Sequence, residues 1–161
     1  MWVGLAPPWK ASKAKKGRAV PVPAEYQRAQ DDFYAFLIDA REEAGLWSTH
    51  VTYTMTQAVF QVFRRRVSME QAIAFANVLP VGLRALFVAG WDINEPRKPF
   101  GSVAAMTEEV KALRPNHNFS TDTAIRDVAT ALRRHVDETA LDRVLAQGPA
   151  DAQTFWRGRG K

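Results

Sequence analysis

Cysteine is absent from the 161 residues, which excludes a disulfide framework, a thiol nucleophile and a thiolate metal site. Long apolar runs are absent too. No stretch approaches the roughly 18 residues that a membrane-crossing helix needs. Histidine is scarce: His50, His117 and His135 stand far apart, with no HExxH pattern. The chain has no G-x-S-x-G, no phosphate-binding loop and no G-x-G-x-x-G, so the common signatures of acyl transfer, nucleotide hydrolysis and dinucleotide binding are missing. Acidic residues are absent from residues 1–24, which hold Lys10, Lys13, Lys15, Lys16 and Arg18. Subtracting those five from the 22 Lys and Arg leaves 17 positive side chains against 17 negative ones beyond residue 24. The net charge of +5 therefore belongs to one end. The composition of the body gives no support for the basic face expected of a nucleic-acid-binding domain.

What is present is ordinary globular material, 47% hydrophobic and 24% charged. Residues 1–24 carry four prolines, two glycines and the lysine run without periodicity, and read as a basic flexible extension. Their apolar start, MWVGLAPPW, has no preceding positive charge and lysines after it, the wrong order for a secretory signal, so a cytoplasmic protein is expected. From Tyr26 the pattern becomes helical. Tyr26, Ala29, Phe33, Phe36, Leu37, Ala40 and Ala44 recur at three- and four-residue steps, and Gly45 ends the run. Ser48 and Thr49 precede a helix near 50–66, with Met55, Val59, Val62 and Phe63 inward. Ser68 and Gln71 form a capping box for a third helix, with Ala72, Ile73, Ala76 and Leu79 inward. Pro80 suits the first turn of a short fourth helix that carries Leu83, Leu86 and Phe87.

Residues 92–101 are a proline-rich linker. Beyond it, Val103, Met106, Val110 and Leu113 form one helical face. Ser120 is expected to open the next helix, burying Ala124, Val128, Ala131, Leu132 and Val136. Asp137 caps a helix with Leu141, Val144 and Leu145. Pro149 begins a last short one with Phe155 and Trp156, and a basic end, 157–161, is expected to fray. No strand-like alternation appears, so the fold class expected is all-α.

The chain also repeats itself. Shifted by 69 positions, Val51–Phe87 aligns with Ser120–Trp156 without a gap. The identities are Thr52/Thr121, Thr54/Thr123, Val59/Val128, Arg64/Arg133, Arg65/Arg134, Val67/Val136 and Pro80/Pro149. Caps and bulky apolar residues also correspond: Ser68 with Asp137, Phe75 with Val144, Phe87 with Trp156. The expected architecture is two pseudo-symmetric four-helix repeats, 25–91 and 102–156, packed into one helical domain. The cationic clusters Arg64–Arg66 and Arg133–His135 then fall on the last turn of equivalent helices, beside that turn's unpaired carbonyls. With the caps Ser68 and Asp137 they form a structural joint built twice. The competing expectation is an anion site formed where both clusters meet.

The stretch VFQVFRRRVSMEQAIAFANVLPVGLRALFVAGW resembles the bacterial family known as domain of unknown function 2267. The shared features are a helix ending in basic residues, a Ser/Thr-capped alanine-rich helix, a Leu-Pro corner, LRALF and a Gly-Trp close. The segment EVKALRPNHNFSTDTAIRDVATALRRHVDE through FW is similar to the second repeat of that family, with Gly148–Pro149 in place of Leu-Pro. The resemblance covers about residues 25–156. It implies an internally duplicated helical fold, and no activity or catalytic residue.

Three functional classes remain open. The first is a non-enzymatic interaction module with an unidentified protein partner or a second copy of the chain; one of Trp47, Trp91 and Trp156 would serve as an exposed anchor. The second is tethering to nucleic acid or an anionic membrane through Trp2, Trp9, Lys10, Lys13, Lys15, Lys16 and Arg18. The third is a small-ligand binder or enzyme with a site between the repeats. For that class His50 and His117, with Glu42 or Glu108, are the metal ligands considered, and Glu42–Glu43 and Glu108–Glu109 the carboxylate pairs. The simplest roles for these are caps and solvated helix faces, so no catalytic residue, metal or cofactor is assigned.

Overall fold

The computed structural model describes residues 22–160, and all regular secondary structure among them is helical. The elements are α1 Ala24–Gln27, α2 Ala29–Ala44, α3 Thr49–Arg64, α4 Met69–Val78, α5 Val81–Val88, α6 Val103–Ala112, α7 Ala124–Arg134, α8 Glu138–Ala146 and α9 Ala150–Phe155. The all-α expectation therefore holds.

Two helices form the centre. α3 buries residues on most of its circumference, from Val51 and Thr52 through Met55, Val59 and Phe60 to Phe63 and Arg64. Two of its buried threonines satisfy themselves within the helix: the Thr52 hydroxyl donates to the Ser48 carbonyl at 3.0 Å and that of Thr54 to the His50 carbonyl at 3.4 Å. α7 buries Ala124, Ile125, Val128, Ala129, Ala131 and Leu132. Its small residues let neighbours approach closely. α3 packs on α7, α2 lies along α7, α6 lies along α3, and α4 packs on α8. An aromatic cluster closes the end opposite the α2–α3 turn. Phe75 stacks on Trp156 at 5.0 Å between ring centroids, while Phe60 meets Phe87 edge-on at 5.4 Å.

Local sequence rules explain most boundaries. Gly45 ends α2 in the left-handed region at φ 66°. Ser48 accepts from the His50 N–H to start α3, and the Ser68–Gln71 box starts α4 with both of its hydrogen bonds formed. Asp137 caps α8 by accepting from the Ala140 N–H at 3.0 Å. Pro80 and Pro149 sit at the N-cap positions of α5 and α9, one residue before the first turn.

Several expectations need correction. The first helical run is interrupted at Arg28, and Tyr26 is exposed, so its buried face starts only at Phe33. Ile73 and Val103 point to solvent. Ser120 does not open α7, which begins at Ala124. Ser120 instead bonds the Asn118 side-chain oxygen, while the Asn118 amide closes the Val110 and Leu113 carbonyls at the end of α6. The end 157–160 is not frayed. Gly158, at φ 70°, lies against the Thr130 backbone, and the Arg159 N–H donates to the Thr130 hydroxyl at 2.9 Å.

Candidate functional site

The two arginine clusters occupy two corners. At the first, Arg64 ends α3 with only 5% of its surface exposed. Its Nη1 donates to the Phe87 carbonyl at 2.6 Å and the Ala89 carbonyl at 3.0 Å, and its guanidinium lies over the Trp91 ring at 5.3 Å. The carbonyls it serves are thus those of α5 and the residue after it, rather than those of its own last turn. Burial, then repulsion from Arg65, holds the Arg64 pKa below the ordinary arginine value, with Glu95 acting the other way. Arg65 pairs with Glu95 at 2.8 Å. Arg66 forms a fork with both oxygens of Glu109, each at 3.0 Å, and also donates to the Val62 carbonyl. That fork, with Lys98 in support, holds the Glu109 carboxyl below the usual carboxylate range although partial burial opposes it.

The second corner uses the same main-chain device. Arg133 Nε donates to the Trp156 carbonyl at 2.7 Å. Donor and acceptor stand 23 residues apart, as Arg64 and Phe87 do. The surroundings differ. Arg133 Nη2 reaches Asp142 at 2.8 Å, and Arg134 bridges Asp39 at 2.7 Å and Glu43 at 2.8 Å on α2. Arg134 is held above the ordinary arginine value first by the Glu43 hydrogen bond, with Asp39 adding to it. His135 faces Asp39 at 3.1 Å. Arg159 completes the network by pairing with the other Glu43 oxygen at 2.9 Å.

Each corner borders a cleft. The first, about 300 Å³, is lined by Arg64, Arg65, Trp91, Ile93, Glu95 and Arg97 among others. The second, about 580 Å³, is lined by Glu43, Thr130, Arg133, Arg134, Glu138, Arg157, Arg159 and Gly160. The two linings share no residue, so the clusters do not converge on one of these cavities.

Sequence reasoning misses Asp39 and Arg159. It weighs Glu43 and Glu109 only within acidic pairs expected to be solvated faces, and only Glu42 and Glu108 fit that description. Glu43 and Glu109 side chains are 9% and 27% exposed. A signal existed: each lies three residues after a buried position, Ala40 and Met106. The tail positions Trp2, Trp9, Lys10, Lys13, Lys15, Lys16 and Arg18 lie outside the described residues. Among the described residues, no group of three His, Asp or Glu is placed to hold a metal ion, and no helix is long and apolar enough to cross a membrane.

The tryptophans separate clearly. Trp156 is fully buried and Trp91 lies partly buried beneath Arg64. Trp47, between α2 and α3, is 69% exposed and meets Phe119, 55% exposed, at 5.5 Å between centroids. Two large aromatic side chains from different loops therefore present one continuous apolar surface to solvent.

No curated protein matches the sequence. The family model described as "Uncharacterized conserved protein (DUF2267)" does match it, over residues 33–155, from within α2 to the end of α9, and the chain belongs to that family.

Proposed function

We propose that the chain is a non-enzymatic, cytoplasmic protein-interaction module, built from two related helical halves and anchored on its partner through Trp47 and Phe119. The exposed aromatic pair is the observation that carries this reading. Aromatic residues dominate binding energy at interfaces when a partner desolvates them, and here the pair has no covering element among the described residues.

The relation between the halves rests on paired features 69 residues apart. Arg64 serves the Phe87 carbonyl and Arg133 that of Trp156; Ser68 caps α4 and Asp137 caps α8. Under the same correspondence α3 maps to α7 and α2 to α6, so the packing of α2 on α7 and of α3 on α6 are one contact made twice. A duplicated bundle of this kind offers two equivalent loops, α2–α3 and α6–α7, side by side, and these loops supply Trp47 and Phe119.

The test is light scattering over a dilution series, together with capture from the native host, for wild type and for Trp47→Ser/Phe119→Ser. Losing an aromatic anchor costs about 2 kcal/mol, roughly thirtyfold in affinity. The expected result is self-association, or one partner, that weakens by that factor while the melting temperature holds. Complexes that the double substitution leaves unchanged would defeat the proposal.

A further inference from the structure

We propose that the cleft of the second corner is a binding site for a phosphoryl-bearing anion. This inference is independent of the aromatic anchor and rests on how the guanidinium groups are used. Four of them, from Arg133, Arg134, Arg157 and Arg159, line one cavity of about 580 Å³. That volume suits a small ligand. They come from α7 and from the segment after α9, so the fold assembles them from separate parts of the chain.

Their donors are only partly spent. Arg134 is committed to Asp39 and Glu43. Arg133 uses Nε and Nη2, while its Nη1 stands 4.0 Å from the nearest Glu138 oxygen, beyond hydrogen-bond reach. Arg159 uses Nε on Glu43; its Nη2 lies 3.5 Å from Asp127 without forming a hydrogen bond. Arg157 makes one long contact of 3.5 Å to the Thr154 hydroxyl. Glu43 accepts a hydrogen bond from Arg134 on one oxygen and holds Arg159 as an ion pair at the other, so this nearly buried carboxylate orients Arg134 and draws Arg159 to the border of the cavity. Pre-oriented planar forks are the recognition chemistry of phosphate, and repulsion among four clustered cations falls when a dianion enters. Glu43 and Glu138 are the opposing elements, because both line the same cavity with a negative charge; Glu43 is already held between Arg134 and Arg159, which leaves Glu138 as the less engaged of the two.

The first corner, whose cleft Arg97 also lines, turns its helix-end cluster onto the fold itself. There Arg64 is turned onto two carbonyls and a tryptophan face, Arg65 onto Glu95 and Arg66 onto Glu109. Its cleft is also about half the size of the other.

The test is titration calorimetry of the full chain with inorganic pyrophosphate at fixed ionic strength. Arg157→Ala removes a cation with few structural ties and should weaken binding about tenfold. Glu138→Gln should tighten binding, a change of sign that a merely structural role does not produce. Arg97→Ala, at the first corner, should leave it unchanged. A phosphoserine peptide and a sugar phosphate, titrated in parallel, distinguish the sources of the phosphoryl group. Absence of binding at millimolar pyrophosphate would overturn the proposal. Equal affinity in wild type and Arg157→Ala, which would point to the lysine-rich tail, would overturn it as well.

Discussion

Gly158 offers a sharp test of how the C-terminal segment is held. It adopts φ 70°, where a side chain costs about 1 kcal/mol. A Cβ there would also stand 3.1 Å from Thr130 Cα and Oγ1 and 3.2 Å from the Thr130 nitrogen. Two of those atoms are helical backbone in the middle of α7 and cannot yield, so residues 157–160 must move instead. Movement stretches the Arg159 N–H bond to the Thr130 hydroxyl, worth about 1 kcal/mol, and the Arg159–Glu43 pair, worth about 1 kcal/mol with half of Arg159 in solvent. Strain and clash together match or exceed what those contacts supply, so Gly158→Ala should release the segment, and its cost should saturate near 2–3 kcal/mol. Two other glycines separate the contributions. Gly45 shares the positive φ but would place its Cβ in open space, so Gly45→Ala should cost about 1 kcal/mol. Gly160 has neither constraint, and Gly160→Ala should be silent. Denaturant midpoints give the three values, and amide exchange at Arg159 reports the release. Once Gly158→Ala has freed the segment, adding Arg159→Ala should cost almost nothing further. If Gly158→Ala costs no more than Gly45→Ala, or if the two changes at 158 and 159 simply add, residues 157–160 are not docked as described.

Two further predictions concern the first corner. Arg64→Met strands two carbonyls, one of them buried, and should destabilise the chain by about 2–3 kcal/mol in urea unfolding, whereas Arg65→Ala, which loses one partly exposed pair, should cost under about 1 kcal/mol. The carboxyl of Glu109 is held below its ordinary value by Arg66, so the stability it contributes is fully present above the unfolded value of about 4.3 and is lost as pH falls through the lower folded value. Glu109→Gln should therefore be less stable by about 2 kcal/mol at neutral pH and flatter in its acid limb, as followed by thermal unfolding from neutral to acid conditions.

What the sequence disclosed follows the range of the interactions involved. The Ser68–Gln71 box, the Asp137 cap and the Gly45 stop depend on residues within three or four positions, and each reads directly from the chain. The clusters Arg64–Arg66 and Arg133–His135 were visible as helix-terminal corners, but not their partners, because the carbonyls they serve arrive 23 residues later through α4–α5 and α8–α9. Ile73 and Val103 misled because each sits at the border of an apolar stripe, where one residue of rotation decides exposure. Ser120 misleads because a serine before an apolar run satisfies the capping rule equally well when its hydroxyl donates elsewhere, here to the Asn118 side-chain oxygen. Asp127, 1% exposed in the first turn of α7, had no sequence signal at all: its partners Thr121 and Thr123 are local, but its burial depends on the docked C-terminal segment.

The two corners differ in what closes them, and that difference separates scaffold from site. Each corner is covered by the segment that follows a short helix, α5 at the first and α9 at the second. At the first, residues 95–98 fold back, with the Lys98 N–H donating to the Arg65 carbonyl at 2.9 Å and Glu95 meeting Arg65. An acid supplied by the covering segment and another from α6 meet Arg65 and Arg66, while the same segment adds Arg97 and Lys98. At the second, the covering segment is residues 157–160, which bring two more arginines and no acid to a corner that already has two. The same main-chain clamp, Arg64 to Phe87 or Arg133 to Trp156, is thus flanked by cations at both corners, and at the second the acids that meet them, Asp39, Glu43 and Asp142, come from α2 and α8 rather than from the covering segment. Both clamps meet the structural need, but at the second Arg133 Nη1, Arg159 Nη2 and most of the Arg157 guanidinium stay without close partners on residues that line a cavity of about 580 Å³, and a ligand of opposite sign is what those donors would engage.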